Sequence, residues 1–441
     1  MSDLLAARFQ MGMSLAFHIV FAVIGIAMPL LMVVAERRWH RTNDPVHLDL
    51  AKRWARGTAI LFAVGAVSGT VLSFELGLLW PGFMRLAGPI IGMPFSLEGF
   101  AFFTEAIFLG IYLYGWEKVG PRAHWLAGVM VAAGGALSGI FVVIANAWMN
   151  APVGFDLVDG RATNVDPLAA MANPAALPMV IHMTLAAYAA TGFAVAGVHA
   201  WLILRGRRAA FHRHALTAAL LVGAPAAILL PLSGHFLAGH VARQQPAKLA
   251  AMEALFETRA AAPIVLGGWP DMDRRRTRFG IEIPFGLSLL AFNDPRATVQ
   301  GLDAVPREDW PNVPAVHLSF QLMVGCGVYL AIVSLWAAWL ARRKIDLGAR
   351  RGFLRAVAFA APLGFVAIEA VWMVTELGRQ PWVIYGVLRT AEAVTPMPGQ
   401  AFRTGLFALI YLFLAVVVTV LLYRQIVRSP MHTGEFPRVT E

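Results

Sequence analysis

An acid and a base stand three residues apart at the end of a long apolar stretch of this 441-residue chain. The segment 376–382 reads Glu-Leu-Gly-Arg-Gln-Pro-Trp and follows an apolar run that begins near Phe353. An ionisable residue close to hydrocarbon is costly, so Glu376 and Arg379 are functional candidates. The alternative is an ordinary helix end, at which Arg379 neutralises the helix C-terminus. Other residues that could act with Glu376 and Arg379 would favour a functional role over an ordinary helix end.

Three further side chains within apolar runs could bind a metal ion: His18, His182 and Met323. Haem iron accepts histidine or methionine as axial ligands, so these residues are a candidate b-type set. Each also has a structural interpretation, because a buried histidine can simply bond to a neighbouring helix and methionine often fills gaps in a core. Cys326 is the single cysteine, which excludes thiolate clusters and a Cys-x-x-Cys-His haem attachment.

Two pairs of polar residues could move protons or bind a polar substrate. Glu98 and Glu105 are seven residues apart, so they share one helix face at a separation of about 10 Å. Two carboxylates on one stripe inside a membrane indicate a proton relay rather than packing. Lys248 and Glu253 follow Pro246 on a predicted amphipathic helix. That helix is either a solvated surface element or a binding site for a substrate with hydroxyl groups, such as a membrane quinol.

The elements that carry these residues are transmembrane helices. The chain is 58% hydrophobic and 14% charged, with a mean hydropathy of +0.64. Apolar stretches of about 20 residues, the length that spans a bilayer, recur along it. We therefore predict an all-α, polytopic membrane protein. The nine predicted helices are 12–35, 57–80, 96–115, 125–147, 179–204, 215–237, 313–341, 353–376 and 402–424.

Basic residues concentrate in alternate loops, which predicts the orientation. The loops after helices 1, 5 and 7 are rich in arginine and lysine, including Arg208, whereas the alternate short loops hold little more than Arg85, Arg161, Arg379 and Arg389. Because positive loops stay cytoplasmic, the N-terminus is expected to be periplasmic and the C-terminus cytoplasmic. The net charge of +10 then reflects topology and indicates no nucleic-acid partner. The predicted regions are helices 1–6 (1–237), a periplasmic quinol-binding loop (238–312), helices 7–9 (313–425) and a cytoplasmic tail (426–441).

This topology places the candidate ligands and Glu98 in the outer half of the membrane. The other histidines are expected to be structural or solvated. His182 and His199 are 17 residues, or about 25 Å, apart on one helix, which argues against the stacked haems of a classical dihaem cytochrome b. His199 is expected near the inner face without an obvious partner on another helix. His47 and His212 are expected to be solvated in the basic loops.

Several motifs give the chain a family resemblance. They are Arg8-Phe9-Gln10 with His18, Phe74-Glu75-Leu76-Gly77, the segment 98–105, Asn146-Ala147-Trp148-Met149, His182 with its Gly/Ala-rich run, the segment 245–253, and 376–382. With these motifs the chain resembles, over residues 1–425, subunit I of the cytochrome bd-type quinol oxidases, and the short segment 238–312 is similar to the cyanide-insensitive branch.

The resemblance implies three haems near the outer face. His182 and Met323 would ligate a low-spin haem b. His18 and Glu376 would be the axial ligands of a high-spin haem b and of a haem d or a replacement haem b. Arg379 would offer its charge to a haem propionate or to Glu376.

The resemblance also implies a reaction and its partners. Quinol, expected to be ubiquinol, would be oxidised at Lys248 and Glu253 on the periplasmic side. O2 would be reduced to water with cytoplasmic protons delivered by Glu105 and then Glu98, generating proton motive force without pumping. The expected partners are a second subunit and, as an option, a small single-helix subunit in a bacterial inner membrane. The alternatives are a proton-coupled transporter and a dihaem b-type quinol dehydrogenase without oxygen chemistry.

Two positions depart from the family pattern. Gln321 stands where an arginine often precedes the ligand methionine by two residues, and the missing charge predicts a lower reduction potential for that haem. Val371 replaces the usual glycine before Trp372, which concerns helix packing more than chemistry.

Overall fold

The computed structural model describes residues 2–207, 210–394 and 399–428, with side chains through residue 426. Arg208 and residues 429–441 of the predicted tail lie outside the described residues.

Within that range nine helices are long and apolar enough to cross a membrane, which confirms the predicted all-α, nine-helix fold. Proline opens several of them, because its fixed φ suits the first helical position and its missing N–H is not needed there. In chain order the helices are α1 (Asp3–Thr42), α2 (Pro45–Leu79), α3 (Pro81–Tyr114), α4 (Pro121–Asn150), α5 (Pro167–Met171), α6 (Ala176–Leu204), α7 (Ala210–Gln244), α8 (Pro246–Glu253), α9 (Gly286–Phe292), α10 (Val313–Arg342), α11 (Arg351–Ala360), α12 (Leu363–Gly378), α13 (Thr390–Ala393) and α14 (Gln400–Tyr423).

Most membrane helices extend beyond their predicted bounds: α1 begins at Asp3 and not near 12, α2 at Pro45 and not near 57, and α3 at Pro81 and not near 96. The sixth membrane helix, α7, continues to Gln244 instead of ending near 237, because its polar end extends past the apolar run. The eighth consists of α11 and α12, separated at Ala361 and Pro362. Proline has no N–H for a helical bond and its ring crowds the preceding turn, so the helix is interrupted there.

Short antiparallel strand pairs lie between the helices. Three pairs are nested in the segment after α8, with β3–β8 outermost, β4–β7 next and β5–β6 innermost; β1–β2 and β9–β10 are local hairpins. The strands are β1 (Asp156–Val158), β2 (Arg161–Thr163), β3 (Arg259–Ala260), β4 (Ile264–Leu266), β5 (Trp269–Asp271), β6 (Arg276–Arg278), β7 (Ile281–Ile283), β8 (Thr298–Val299), β9 (Trp382–Ile384) and β10 (Leu388–Arg389).

The membrane helices form two rings. In the first, α1 packs on α2 and α4, and α3 completes the ring between them. In the second, α6 and α10 each pack on both α7 and α12. Contacts of α6 with α1 and α4 join the rings, and α14 packs on α1 and α2. We call the end at which α2, α4, α7 and α12 terminate the loop end, and the opposite end the basic end.

A buried polar network connects α1 to α2 and α14 at the loop end. Gln10 Nε2 donates to Glu75 Oε1 at 2.8 Å, and Ser14 Oγ donates to the same oxygen at 2.9 Å. Gln400 of α14 donates to Gln10 Oε1 at 2.8 Å, and Tyr411 donates to Ser14 at 3.0 Å. Two of the motifs behind the family resemblance, which are distant in sequence, are therefore in direct contact.

Three histidines at the basic end differ from expectation. His199 was expected to lack a partner on another helix, but its Nδ1 lies 2.9 Å from Nδ1 of His212 on α7. His212 and His47 were expected to be solvated, yet each is 4% exposed. Both predictions are wrong because α2 and α7 begin within the packed ends of the helices, so residues assigned to loops from hydropathy face neighbouring helices.

Candidate functional site

His18 is oriented by a serine of the neighbouring helix. Its Nδ1 lies 2.9 Å from Ser68 Oγ on α2. That hydroxyl also lies 2.9 Å from the carbonyl oxygen of Val64, which can only accept, so the serine donates there and receives the Nδ1 hydrogen. A Cβ added at Gly69 would lie 3.0 Å from His18 Cε1, so the glycine makes room for the ring. Nε2 of His18 therefore carries no hydrogen, and its lone pair can bind a metal ion.

The same arrangement recurs in the second ring. His182 Nδ1 of α6 lies 2.9 Å from Ser233 Oγ of α7, and Ser233 donates to the carbonyl oxygen of Leu230 at 2.9 Å. A Cβ at the next residue, Gly234, would be 3.6 Å from His182 Cε1. A hydrogen-bonded Nδ1 fixes the tautomer in which Nε2 can bind a metal. Both candidate histidines thus have the same Ser-Gly support.

Glu376 lies between two hydrogen-bond donors near the end of α12. Asn146 of α4 donates to Oε1 at 2.8 Å, and Arg379 pairs with Oε2. The Glu376 side chain remains 28% exposed although it is within the helix assembly. Arg379 is only 1% exposed, and its Nε and Nη1 have no hydrogen-bond partner among the described residues. An ordinary solvated helix end does not explain two buried, unused guanidinium donors.

A chain of amide side chains connects Glu376 to Lys248. Lys248 Nζ donates to Asn150 Oδ1 at 2.6 Å, and Asn150 Nδ2 donates to the carbonyl oxygen of Asn146 at 2.9 Å. Gln245 adds a bond of 2.6 Å to the Asn150 carbonyl oxygen. Burial lowers the pKa of Lys248 to about 7, with Arg379 acting in the same direction. The surface-helix alternative for this segment is wrong, because Lys248 is 5% exposed.

Glu253, at the other end of α8, is 1% exposed. Burial raises the pKa of its carboxyl to about 8, and the nearby Val265 backbone amide opposes that shift. His317 of α10 supports this end of the helix, with Nδ1 2.8 Å from the Met252 carbonyl oxygen and Nε2 3.0 Å from that of Gly267. Glu253 is therefore a buried carboxyl at the end of α8 whose charged form is disfavoured.

Glu105 and Glu98 line the seam between α3 and α4. A Cβ at Gly134 would lie 3.0 Å from Glu105 Cβ, and one at Gly135 would lie 3.3 Å from Oε1, so these glycines admit the Glu105 side chain. Oε1 has no hydrogen-bond partner within the described part of the chain, and the residue is 4% exposed. Glu98 accepts a bond of 2.9 Å from Ser138.

Met323 and Gln321 lie on α10, which is across the second ring from α6, the helix that carries His182. Met323 is half-buried. Gln321 is bound to the nested strands, since its Nε2 donates to the Val265 carbonyl oxygen at 2.8 Å and its Oε1 accepts from the Gly267 N–H at 3.0 Å. His18, His182, Met323 and Glu376 all lie in the half of their spanning helix nearer the loop end.

A cavity of about 240 Å³ opens beside α8 at the loop end. Its wall includes Pro246, Ala247, Arg379, Trp382 and Tyr385, so it lies where the start of α8 meets the segment after Glu376. Its apolar and aromatic lining with a few polar groups is typical of a small-molecule site.

The donors present fit haem. Two histidines each offer a free Nε2, a methionine and a carboxylate are available on neighbouring helices, and Arg379 has unused donors of the kind that bind propionates. Sequence reasoning missed the residues that orient these groups, namely Ser68, Ser233 and Asn150. The Ser-Gly dipeptide repeated on α2 and α7 was a signal that could have found the serines.

Comparisons with known proteins show which family the chain is similar to. Residues 6–430 match the family model for cytochrome bd terminal oxidase subunit I. The chain is 38% identical over 432 residues to the putative cytochrome bd menaquinol oxidase subunit I of Bacillus subtilis (strain 168), covering 96% of each. It is 32% identical to that organism's cytochrome bd ubiquinol oxidase subunit 1, covering 98% of this chain and 95% of the relative.

A solved structure is also similar. The bd oxidase from Geobacillus thermodenitrificans superimposes with a TM-score of 0.92 at 38% identity, covering 97% of this chain and 99% of that one. The fold, the matched length and the identity agree, and the chain belongs to the cytochrome bd terminal oxidase subunit I family.

Proposed function

We propose that this protein is the haem-binding subunit of a terminal quinol oxidase, which oxidises a membrane quinol and reduces O2 to water. The observation that carries the proposal is the hydrogen-bonded chain from Lys248 through Asn150 and Asn146 to Glu376. It connects α8, whose first residues Pro246 and Ala247 line the cavity, to a candidate iron ligand. The family assignment favours this function over a proton-coupled transporter or a dihaem quinol dehydrogenase.

His182 and Met323 would hold a low-spin haem b. His18 and Glu376 would each hold one of the other two haems, a high-spin haem b and a haem d or a replacement haem b. When bound, these groups supply one-electron transfer and O2 chemistry. The protein's part is to keep Nε2 of both histidines unprotonated through Ser68 and Ser233. Arg379 would neutralise Glu376 or a propionate.

Quinol would bind in the cavity with one hydroxyl toward Lys248 or Glu253. Oxidation of a quinol releases two protons, so it needs nearby groups that accept them. Lys248, with a pKa lowered to about 7, is partly uncharged at neutral pH and can accept a proton, and Glu253, with a pKa raised to about 8, becomes an acceptor as the pH rises. Ubiquinol is our expected substrate; one relative is named for menaquinol and another for ubiquinol. The short segment between Gln244 and Val313 supports placement in the cyanide-insensitive branch.

Protons for water would come along α3 from Glu105 to Glu98. We propose that the basic end faces the cytoplasm and the loop end, including both termini of α8, faces the periplasm, as the distribution of Arg and Lys predicts. Quinol protons then leave on one side and oxygen protons arrive from the other, so charge separates without pumping. The partners would be a second oxidase subunit in a bacterial inner membrane, with an optional single-helix subunit.

An absorbance spectrum of the purified complex, combined with O2 consumption, tests this function. We expect a Soret band, and O2 uptake on addition of ubiquinol or menaquinol. A far-red band on reduction would identify haem d, and its absence would indicate haem b throughout. His182→Ala should lose the low-spin signal. A complex without a Soret band would overturn the proposal.

A further inference from the structure

A second group of buried titratable side chains lies at the basic end, away from the site above. Glu36 Oε1 of α1 is 2.9 Å from His124 Nδ1 of α4 and 3.3 Å from His40 Nε2. Glu36 is 0% exposed and His124 2%, whereas the His40 side chain retains 22% exposure. The three side chains therefore form a line from the protein surface into the interior.

The hydrogen bonds of His124 determine where protons can sit. Its Nε2 is 2.9 Å from the carbonyl oxygen of Tyr112, which can only accept, so Nε2 carries a hydrogen. The contact with Glu36 needs one more hydrogen, which either His124 Nδ1 or the carboxyl can hold without moving a heavy atom. Glu36 Oε2 is free to take a further proton, because it has no hydrogen-bond partner among the described residues.

Tyr112 extends this group toward the site. Its buried hydroxyl faces the Glu36 carboxyl. Tyr112 is also seven residues beyond Glu105, which is seven beyond Glu98, so the three share one stripe of α3 in steps of about 10 Å. On α4, Gly128 admits the Tyr112 ring, since a Cβ there would lie 2.7 Å from Cε2.

We propose that the Glu36–His124 pair takes up the protons that Glu105 and Glu98 deliver to oxygen, with His40 as its contact to solution. The proposal deepens the proposed function and rests on it. Each proton arriving through His40 binds the Glu36 carboxyl. Glu36 then passes a proton to the Tyr112 hydroxyl oxygen, which at the same time releases its own hydrogen toward Glu105. Water has to span the remaining distance of about 10 Å to Glu105. The Trp116 ring covers His124, with ring centroids 3.9 Å apart, so His40 is the partly exposed member of the group.

The test uses the assembled oxidase in proteoliposomes and compares Glu36→Gln with Asp49→Asn. Asp49 is a matched control, because it is a carboxylate at the same end that pairs with Arg53 outside the line. With haem content unchanged, we expect Glu36→Gln to lower turnover per haem and the rate of proton uptake on the order of 100-fold, and to raise the solvent deuterium effect. Glu36→Asp should recover part of the rate. Asp49→Asn should match the wild type.

Other readouts separate this role from a structural one. A structural role would reduce the yield of haem-loaded protein but leave turnover per haem and the isotope effect unchanged. In infrared spectra recorded across a pH step, a carboxyl band should disappear in Glu36→Gln. If that variant does not assemble, Tyr112→Phe removes the hydroxyl while keeping the ring, and it should slow uptake in the same way.

Two outcomes are distinguishable. Haem-loaded Glu36→Gln or Tyr112→Phe with wild-type turnover and proton uptake would overturn the relay while leaving the oxidase function intact. A wild-type complex without haem or O2 consumption would instead overturn the proposed function itself.

Discussion

Asn146 of α4 donates a hydrogen bond of 2.8 Å to Glu376 of α12, across 230 residues of sequence. The bond joins the two helix rings at the candidate iron ligand. The Asn146 carbonyl oxygen also accepts a hydrogen bond from Asn150, whose own Oδ1 accepts one from Lys248. The orientation of Glu376 therefore depends on the segment that begins at α8. A substitution of Asn146 or Asn150 should therefore change the orientation of the Glu376 carboxylate.

Asn146→Leu should disturb the haem that Glu376 would hold. The substitution keeps much of the side-chain volume but leaves Glu376 Oε1 without the Asn146 donor that orients it. We expect lower occupancy and an altered spectrum of that haem, with the His182 haem unchanged. Haem extraction and redox-difference spectra measure both. Asn164→Leu, which removes an amide-to-carboxylate bond in the β1–β2 hairpin, is the control.

Ser68→Ala and Ser233→Ala should each affect a different haem. Loss of the serine releases Nδ1 of His18 or His182, so the imidazole can rotate or change tautomer. Mutation of such supporting groups typically weakens metal binding by about 10–100-fold. Titration of the apoprotein with haem measures the affinity of each site. Ser73→Ala, in which the hydroxyl bonds only within α2, should bind like the wild type; equal loss in all three variants would refute the assignment.

Glu253→Gln should make the protein's stability less dependent on pH and should lower its quinol turnover. The folded-state pKa of Glu253 is raised from 4.5 to about 8, so the folded protein binds more protons than the unfolded chain between these values. Stability therefore falls as pH rises from about 4.5 to about 8, and the glutamine variant should lack this loss. Thermal unfolding across this pH range measures the difference. Quinol turnover should decrease in the same variant because a proton acceptor is lost. The exposed Glu257→Gln is the control.

Gln321→Arg should raise the midpoint potential of the low-spin haem. A positive charge two residues from Met323 disfavours the oxidised haem, which is the reverse of the effect expected from Gln321 itself. The arginine also replaces the amide that binds the Val265 and Gly267 backbone, so the nested strands should open more readily. Redox titration measures the first effect and limited proteolysis the second. An unchanged potential, matching that of Gln300→Arg on the exposed loop, would contradict the charge argument.

Hydropathy and charge could be read without a structure, so the all-α fold was predictable. Runs of apolar residues have to become helices in lipid, because each helix satisfies its own backbone. Helix ends were less predictable, since polar turns extend α7 to Gln244 beyond the apolar signal. His212 was misjudged for the same reason: hydropathy assigned it to a loop, but a neighbouring helix covers it.

The amino-acid sequence by itself determined which residue types are available in the membrane and, through family resemblance, which of them are candidate ligands. Only the tertiary structure decided their partners. Ser68 with His18, Asn146 with Glu376 and Glu36 with His124 are contacts between different helices. Periodicity specifies which face of a helix a residue occupies, but not which neighbouring helix that face meets. That choice comes from the packing of the two rings, in which Gly69 leaves room for the His18 ring and Gly134 for the Glu105 side chain.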